Sequence, residues 1–308
     1  MMTRALLLLL SAAQFAGAAP CFSPRDVPNG AHLDDLALRY LGSSRYAVAI
    51  ALATNARTDE GFPYIASLDD LTGVSRVCVP SKSEARDLER SWRRYVIAVN
   101  AARLPQISDV SNGSLLVISR DQPVDLVSWV RKDQADKLKT ADGSWATAAP
   151  FETWVTVENH LQQFCRAFVR DHGPDETKLI RRMEQHLGLP PAGSKSYFVR
   201  LELEHPGPDT IFRPCVDPAT DHAGCGAGPP SKAVPSYQQW FYQQYYSSYG
   251  QSLLGEFPWT SLGYTFDWGP AAKPGSKFAR TGESEFVVYK NAPIKVLGVV
   301  PTAQYCAP

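Results

Sequence analysis

The stretch Tyr197–Glu204, YFVRLELE, decides the fold class of this 308-residue chain. Tyr197, Val199, Leu201 and Leu203 alternate with Arg200, Glu202 and Glu204. A period of two makes a strand with one dry and one wet face, as in an antiparallel sheet covered on one side. Upstream lie two helical patterns. Leu161, Phe164, Cys165 and Phe168 recur at helical spacing with Thr156 as a cap. Leu179, Ile180, Met183 and Leu187 follow, capped by Asp175 and stopped by Gly188 and Pro190. Leu115 to Ile118 and Val124 to Arg131 read as two strands turning at Arg120-Asp121-Gln122. Gly263 to Trp268 reads as another, and Glu285 to Tyr289 with Ile294 to Val300 as a hairpin through Lys290 to Pro293. Strands and helices come in runs rather than in strict alternation. The expected class is α+β, with an antiparallel sheet and several helices over residues 113–308.

Ser81 to Arg103 carries the strongest helical signal. Ser81 and Glu84 have capping-box spacing, and Leu88, Trp92, Tyr95, Val96, Val99 and Ala102 form one apolar stripe. Residues 81–104 therefore read as a helix connecting the large domain to a smaller unit at residues 25–80. That unit has a helix at Leu33, Leu36, Ala37 and Tyr40 stopped by Gly42, a small-residue helix from Tyr46 to Thr54, and a strand from Val74 to Val79.

The run Gly30-Ala31-His32-Leu33-Asp34-Asp35-Leu36-Ala37, then Arg39-Tyr40, resembles the opening of a LysM module. Ala51 to Asn55, Asp69-Asp70-Leu71 near Gly73, and Val77-Cys78-Val79-Pro80 continue the likeness. The resemblance covers about a fifth of the chain. It implies a β-α-α-β unit and binding of N-acetylglucosamine polymers such as peptidoglycan or chitin. The implied contacts are Gly30, Ala31 and His32 after the first strand, and Asn55 with Ile65 after the second helix. The chain departs from the family in carrying Ala31 and His32 where Asp and Thr are expected, in an insertion at Ala56 to Tyr64, and in Pro24 within the first strand.

Residues 1–18 have the form of a signal peptide: Arg4, an apolar run from Ala5, and Ala16-Gly17-Ala18 as a cleavage site. The expected chain is secreted or periplasmic. No segment has the roughly 18 apolar residues of a membrane span, so no membrane insertion is expected. Six cysteines, Cys21, Cys78, Cys165, Cys215, Cys225 and Cys306, read as disulfides in that setting. Cys215 and Cys225 flank a Pro/Gly-rich loop and form the best local pair, worth about 2–3 kcal/mol of loop closure. Zinc bound by Cys215, His222 and Cys225 is the weaker reading, because no paired ligand unit is present. No metal site is expected.

Lys and Arg number 31, as do Asp and Glu, so the net charge is zero. A neutral chain gains no electrostatic pull toward nucleic acid, and none is expected as a partner. Hydrophobic residues at 44% and charged residues at 20% exclude a disordered chain. No nucleophile elbow, zinc-protease or phosphate-loop motif occurs. Ser236 with Gln239 caps an aromatic helix holding Tyr237, Trp240, Phe241, Tyr242, Tyr245, Tyr246 and Tyr249. Such rings suit core packing, sugar stacking or a protein partner.

Gly282-Glu283-Ser284-Glu285-Phe286 places two carboxylates at i and i+2 where a loop enters a strand, so both are expected on one face. It resembles the Glu-x-Glu segment of ADP-ribosyltransferases, which implies NAD as a substrate. Glu285 would stabilise the cationic ribose and Glu283 would assist the nucleophile. Arg131 would supply the family's arginine, and Trp259-Thr260-Ser261 its middle-strand hydroxyls, although the full aromatic-Ser-Thr-Ser motif is absent. A two-acid glycan hydrolase using Glu256 or Asp267 with Glu285 is a further reading. The leading one is an envelope-associated protein that binds cell-wall glycan without catalysis and needs no cofactor. The transferase is the alternative, and an envelope interaction protein the third. Whether the chain is an enzyme stays open.

Overall fold

A disulfide joins Cys21 to Cys78 beside the first paired strands. The structure, a computed structural model, describes residues 20–104, 115–215, 235–250, 254, 256–271 and 275–308. The expected signal peptide, residues 1–18, therefore lies outside the described residues.

The N-terminal unit has the order β1 (Ser23–Asp26), α1 (Leu33–Leu41), α2 (Ala47–Asn55), β2 (Arg76–Val79). β1 and β2 pair antiparallel, with Pro24 opposite Cys78. An edge position lets Pro24 sit in the strand, since its missing N–H faces outward. In α1, Leu33, Leu36, Ala37 and Leu41 are buried, and Gly42 ends the helix at φ 82°, with its N–H on Leu38 O. Every residue of α2 is buried. Its small side chains let α1, β2 and the next helix approach from different sides.

That next helix is α3 (Lys82–Ala102), whose Ser81 cap accepts the Glu84 N–H at 3.2 Å. It ties the N-terminal unit into the remainder of the chain. Tyr95 is fully buried, gives its hydroxyl to Glu256 O at 2.8 Å, and meets Trp268 edge-on. Arg94 donates to the carbonyls of Trp268 and Lys277. One continuous apolar cluster runs from Leu36 and Ile50 through Tyr95 to Phe241, Trp259 and Trp268.

The large domain is built on an antiparallel sheet: β3 (Val124–Val130), β4 (Thr153–Val157), β5 (Tyr197–Leu203), β6 (Ile211–Phe212), β9 (Phe286–Val288) and β10 (Lys295–Pro301). The spatial order is β10-β5-β3-β4-β9-β6. The remaining strands, β7 (Tyr264–Asp267) and β8 (Arg280–Ser284), form a separate pair. The class is α+β. On one face Leu126, Val155, Val199, Leu201 and Phe286 pack under α4 (Lys132–Asp136) and the segment through Ala149. On the other, Val127, Trp129 and Phe198 pack under α5 (Glu158–His172), α6 (Glu176–His186) and α8 (Thr302–Tyr305). A disulfide from Cys165 to Cys306 fastens the C-terminus to α5. The aromatic helix is α7 (Pro235–Tyr249).

Three local expectations are corrected. Leu115 to Ile118 forms no strand; Leu116 is held by side chains instead, its N–H on Ser284 Oγ at 2.8 Å and its carbonyl on Arg213. Thr156 caps no helix, because it lies in β4, paired with Val127 of β3. Ile294 to Val300 makes no hairpin with the preceding strand, since β10 pairs with β5 while β9 pairs with β4 and β6. Cys215 is disulfide-bonded, which removes its thiolate from any zinc reading, and Cys225 and His222 lie outside the described residues.

Candidate functional site

Of the contacts implied by the LysM resemblance, Gly30 and His32 are exposed and Ala31 half-buried on the turn leading into α1. Asn55 and Ile65 are buried. Asn55 Nδ2 donates to Ile65 O at 2.8 Å, and Ile65 N–H donates to Asn55 Oδ1 at 2.7 Å. The Asn55 amide thus stands in for a strand partner and closes the base of the 56–64 insertion. Its role in this chain is to hold that loop.

The residues of the Glu-x-Glu reading part company. Arg131 pairs with Asp133 at 2.9 Å and stacks over the Tyr64 ring. Thr260 and Ser261 are buried in a turn, with Thr260 Oγ1 on Tyr264 O and Ser261 Oγ on Thr260 O. Glu283 lies within β8, and Glu285 falls in the break between β8 and β9. Their carboxylates have different neighbours. Glu283 Oε1 sits 2.8 Å from His186 Nε2. The other ring nitrogen, Nδ1, is 3.0 Å from Asp267 Oδ2, and Arg182 grips the same carboxylate with two N–H groups. Phe164 stacks flat on the imidazole. Burial opposes a charged ring, but hydrogen bonds to Asp267 and Glu283 outweigh it and raise the His186 pKa. Burial likewise opposes the Asp267 carboxylate, yet His186 and Arg182 hold it down to about 2. This cluster clamps the end of α6 onto β7 and β8. The fit is close enough that a Cβ on Gly282 would strike the His186 carbonyl and the Thr265 hydroxyl.

Next to the clamp lies a cavity of about 390 Å³. Its floor is the helical face of the sheet at Val127, Trp129, Trp154 and Thr156. Ser247 and Ser248 of α7, with Phe257, Trp259 and Phe266, also line it. The volume is at the small end of the roughly 300–1,000 Å³ range of ligand sites, and the lining is chiefly apolar and aromatic. Three wall residues carry a buried polar atom with no hydrogen-bond partner: Thr156 Oγ1, Trp259 Nε1 and Glu285 Oε2. The register of β4 on β9, carried one residue past Val155–Phe286, sets Thr156 beside Glu285. A fully orphaned polar atom costs about 1–3 kcal/mol, a penalty that Thr156 bears alone and that Trp259 and Glu285 offset in part by acting on each other.

Burial pushes the Glu285 carboxyl up to about 8. The Trp259 indole N–H and Arg213 draw it the other way, although the indole closes no full hydrogen bond. At neutral pH Glu285 is protonated and can donate as well as accept. Lys195 lines the same cavity, with its ammonium 2.9 Å from Trp129 O. Burial and the nearby Arg131 bring it down to about 8, against the pull of Asp133 and Glu184.

Sequence reasoning picked out Glu285, but named Trp259 only as the flank of Thr260 and Ser261 and Thr156 only as a helix cap. Lys195 follows a Pro-Pro-Ala-Gly-Ser loop with no periodic signal, and Thr156 is distinctive only through its missing partner. The tryptophans were visible as residues, but only the sheet register brings Trp129, Trp154 and Trp259 to one space. Among the described residues no cluster of three His, Cys, Asp or Glu side chains could hold a metal ion. Comparison with family models, curated proteins and solved structures finds no match to this chain, and the geometry of the cavity is what bears on its function.

Proposed function

We propose that this chain is an exported binding protein whose large domain encloses a compact ligand with an apolar body and a hydrogen-bonding end. The observation that carries the reading is the gathering of three orphaned polar atoms, on Thr156, Trp259 and Glu285, in the wall of one aromatic cavity. A ligand oxygen that accepts from the indole and the neutral carboxyl would recover free energy the empty fold forgoes. Export is supported by the disulfides Cys21–Cys78 and Cys165–Cys306. No helix among the described residues is long and apolar enough to cross a membrane. The test is calorimetric titration with small aromatic probes such as indole and 2-naphthol. Saturable binding is expected, and Ser247→Trp, which fills the cavity from α7, should abolish it while the fold is retained. Equal binding to the filled variant would overturn the reading.

A second reading concerns the N-terminal unit. Association with cell-wall glycan is supported by its β-α-α-β order and by the exposure of Gly30 and His32. Sedimentation with insoluble peptidoglycan and chitin tests it: retention should fall on His32→Glu, and absence of retention at low salt would dismiss it.

A further inference from the structure

Among the described residues Lys195 is the one cation in the lining of the cavity, and its surroundings are unusual. An ammonium offers three donors. The Lys195 ammonium is given one acceptor, the Trp129 carbonyl, and among the described residues no carboxylate is within ion-pair distance of it. The nearest charges are already engaged. Arg131 is paired with Asp133, and Glu184 is held by Arg181 at 2.7 Å and by the Gly193 N–H. The side chain is half-buried at the cavity edge, so its charge is only partly screened by water, and a cation in that position is ordinarily paired. A cation so placed in an apolar cavity wall is open to an anionic group entering the cavity.

Placement adds a second constraint. Lys195 precedes β5 and reaches the carbonyl of Trp129 at the end of β3, whereas Glu285 precedes β9. In the sheet order β5-β3-β4-β9, one strand, β4, separates β3 from β9. Glu285 stands level with Val127, two residues before Trp129, so two strand spacings of about 4.8 Å and two residues of about 3.4 Å put the two polar ends roughly 12 Å apart. Trp129, Trp154 and Leu161 line the same cavity.

We propose that the cavity binds a small organic carboxylate with a flat apolar body, its anionic group on the Lys195 ammonium and its far end toward Glu285, Trp259 and Thr156. The inference rests on the ligand-binding reading above and adds the charge of the ligand and the residue that reads it. A charge-assisted bond from Lys195 is about twice as strong as a neutral one, so it should dominate the choice between a carboxylate and its amide.

The test is a matched set of probes titrated calorimetrically at pH 7: phenylacetate against phenylacetamide, and indole-3-acetate against indole-3-acetamide. Each carboxylate should bind at least tenfold tighter than its amide. Lys195→Gln should bring the two within twofold, and Lys195→Arg should keep the preference, which also guards against a variant that fails to fold. Equal affinity of acid and amide for the natural chain would overturn the charge assignment and leave the cavity reading standing. A preference that survives Lys195→Gln would overturn it too, by placing the anion elsewhere. Failure of all four probes to bind would overturn the cavity reading, and this inference with it.

Discussion

His186 holds Glu283 through Nε2 at 2.8 Å and, through its other nitrogen, Asp267 at 3.0 Å. An imidazole can donate from both nitrogens only when it is protonated. The folded state therefore favours the charged ring, and its pKa is raised from the ordinary 6.5. The stabilisation is complete below pH 6.5 and is lost as pH climbs through the raised value. Asp267, held down to about 2, contributes above its ordinary 3.8 and loses that contribution only as the pH falls toward 2. Stability from this clamp should accordingly be greatest between about pH 4 and 6.5. His186→Gln leaves a carboxylate buried without its cation and should cost about 3–5 kcal/mol at pH 6. Urea midpoints from pH 5 to 9 would check this: the natural chain should weaken on the alkaline side, and the variant should lack that added slope.

Glu285 gives a second, separable pH dependence. Its folded pKa of about 8 lies above the ordinary carboxyl value of 4.5, so the folded chain holds a proton there that the unfolded chain has released. Stability from this site falls as pH rises from about 4.5 to 8. Glu285→Gln cannot ionise and keeps much of the same shape. It should gain on the natural chain steadily between pH 5 and 8 in urea midpoint, and its ligand affinity should no longer fall above pH 8. A constant difference between the two chains across that range would contradict the neutral carboxyl.

Local signals made much of the fold legible. Ser81 with Glu84 and Asp175 with its apolar stripe announce α3 and α6, and strict alternation announces β5 over Tyr197–Leu203. The failures occur where pairing at a distance overrides local pattern. Thr156 ahead of Glu158 looks like a cap, yet β3 and β9 on either side pull Thr153–Val157 into the sheet. Ile294 to Val300 follows a turn at Asn291, φ 68°, but its partner is β5, nearly a hundred residues earlier. The site is harder still to read. Glu283 and Glu285 share a face in an ideal strand; the break between β8 and β9 gives one to a salt bridge and the other to a cavity. Lys195 belongs to no pattern and acquires meaning only from the missing counter-ion.

Thr156 separates a site from a structural accident. Its Oγ1 is buried without a partner on the sheet floor of the cavity. Thr156→Val exchanges that hydroxyl for a methyl of similar size and should stabilise the free protein by about 1 kcal/mol, because it removes an unsatisfied group. The same change should weaken a ligand that accepts or donates at that end. Thermal melts with and without a bound probe would show both effects. A destabilised variant would mean that the hydroxyl is satisfied, by an ordered water for example.

Asn55 tests the scaffold of the N-terminal unit. Its amide satisfies both backbone groups of Ile65, and all of these atoms are buried. Asn55→Leu keeps the volume and removes both partners, leaving an N–H and a carbonyl unpaired in the core. At about 1–3 kcal/mol for each orphaned group the loss should reach about 2–5 kcal/mol in urea denaturation. The Cys21–Cys78 bond, which closes a span of 57 residues around the same unit, should add about 4 kcal/mol by constraining the unfolded chain. The Asn55→Leu penalty should therefore persist when Cys21 and Cys78 are both replaced by serine, because the amide acts on the folded state and the disulfide on the unfolded one. A penalty that vanishes in the serine background would show instead that the two act through a single local unfolding step, with the 56–64 loop opening as one piece with β1 and β2.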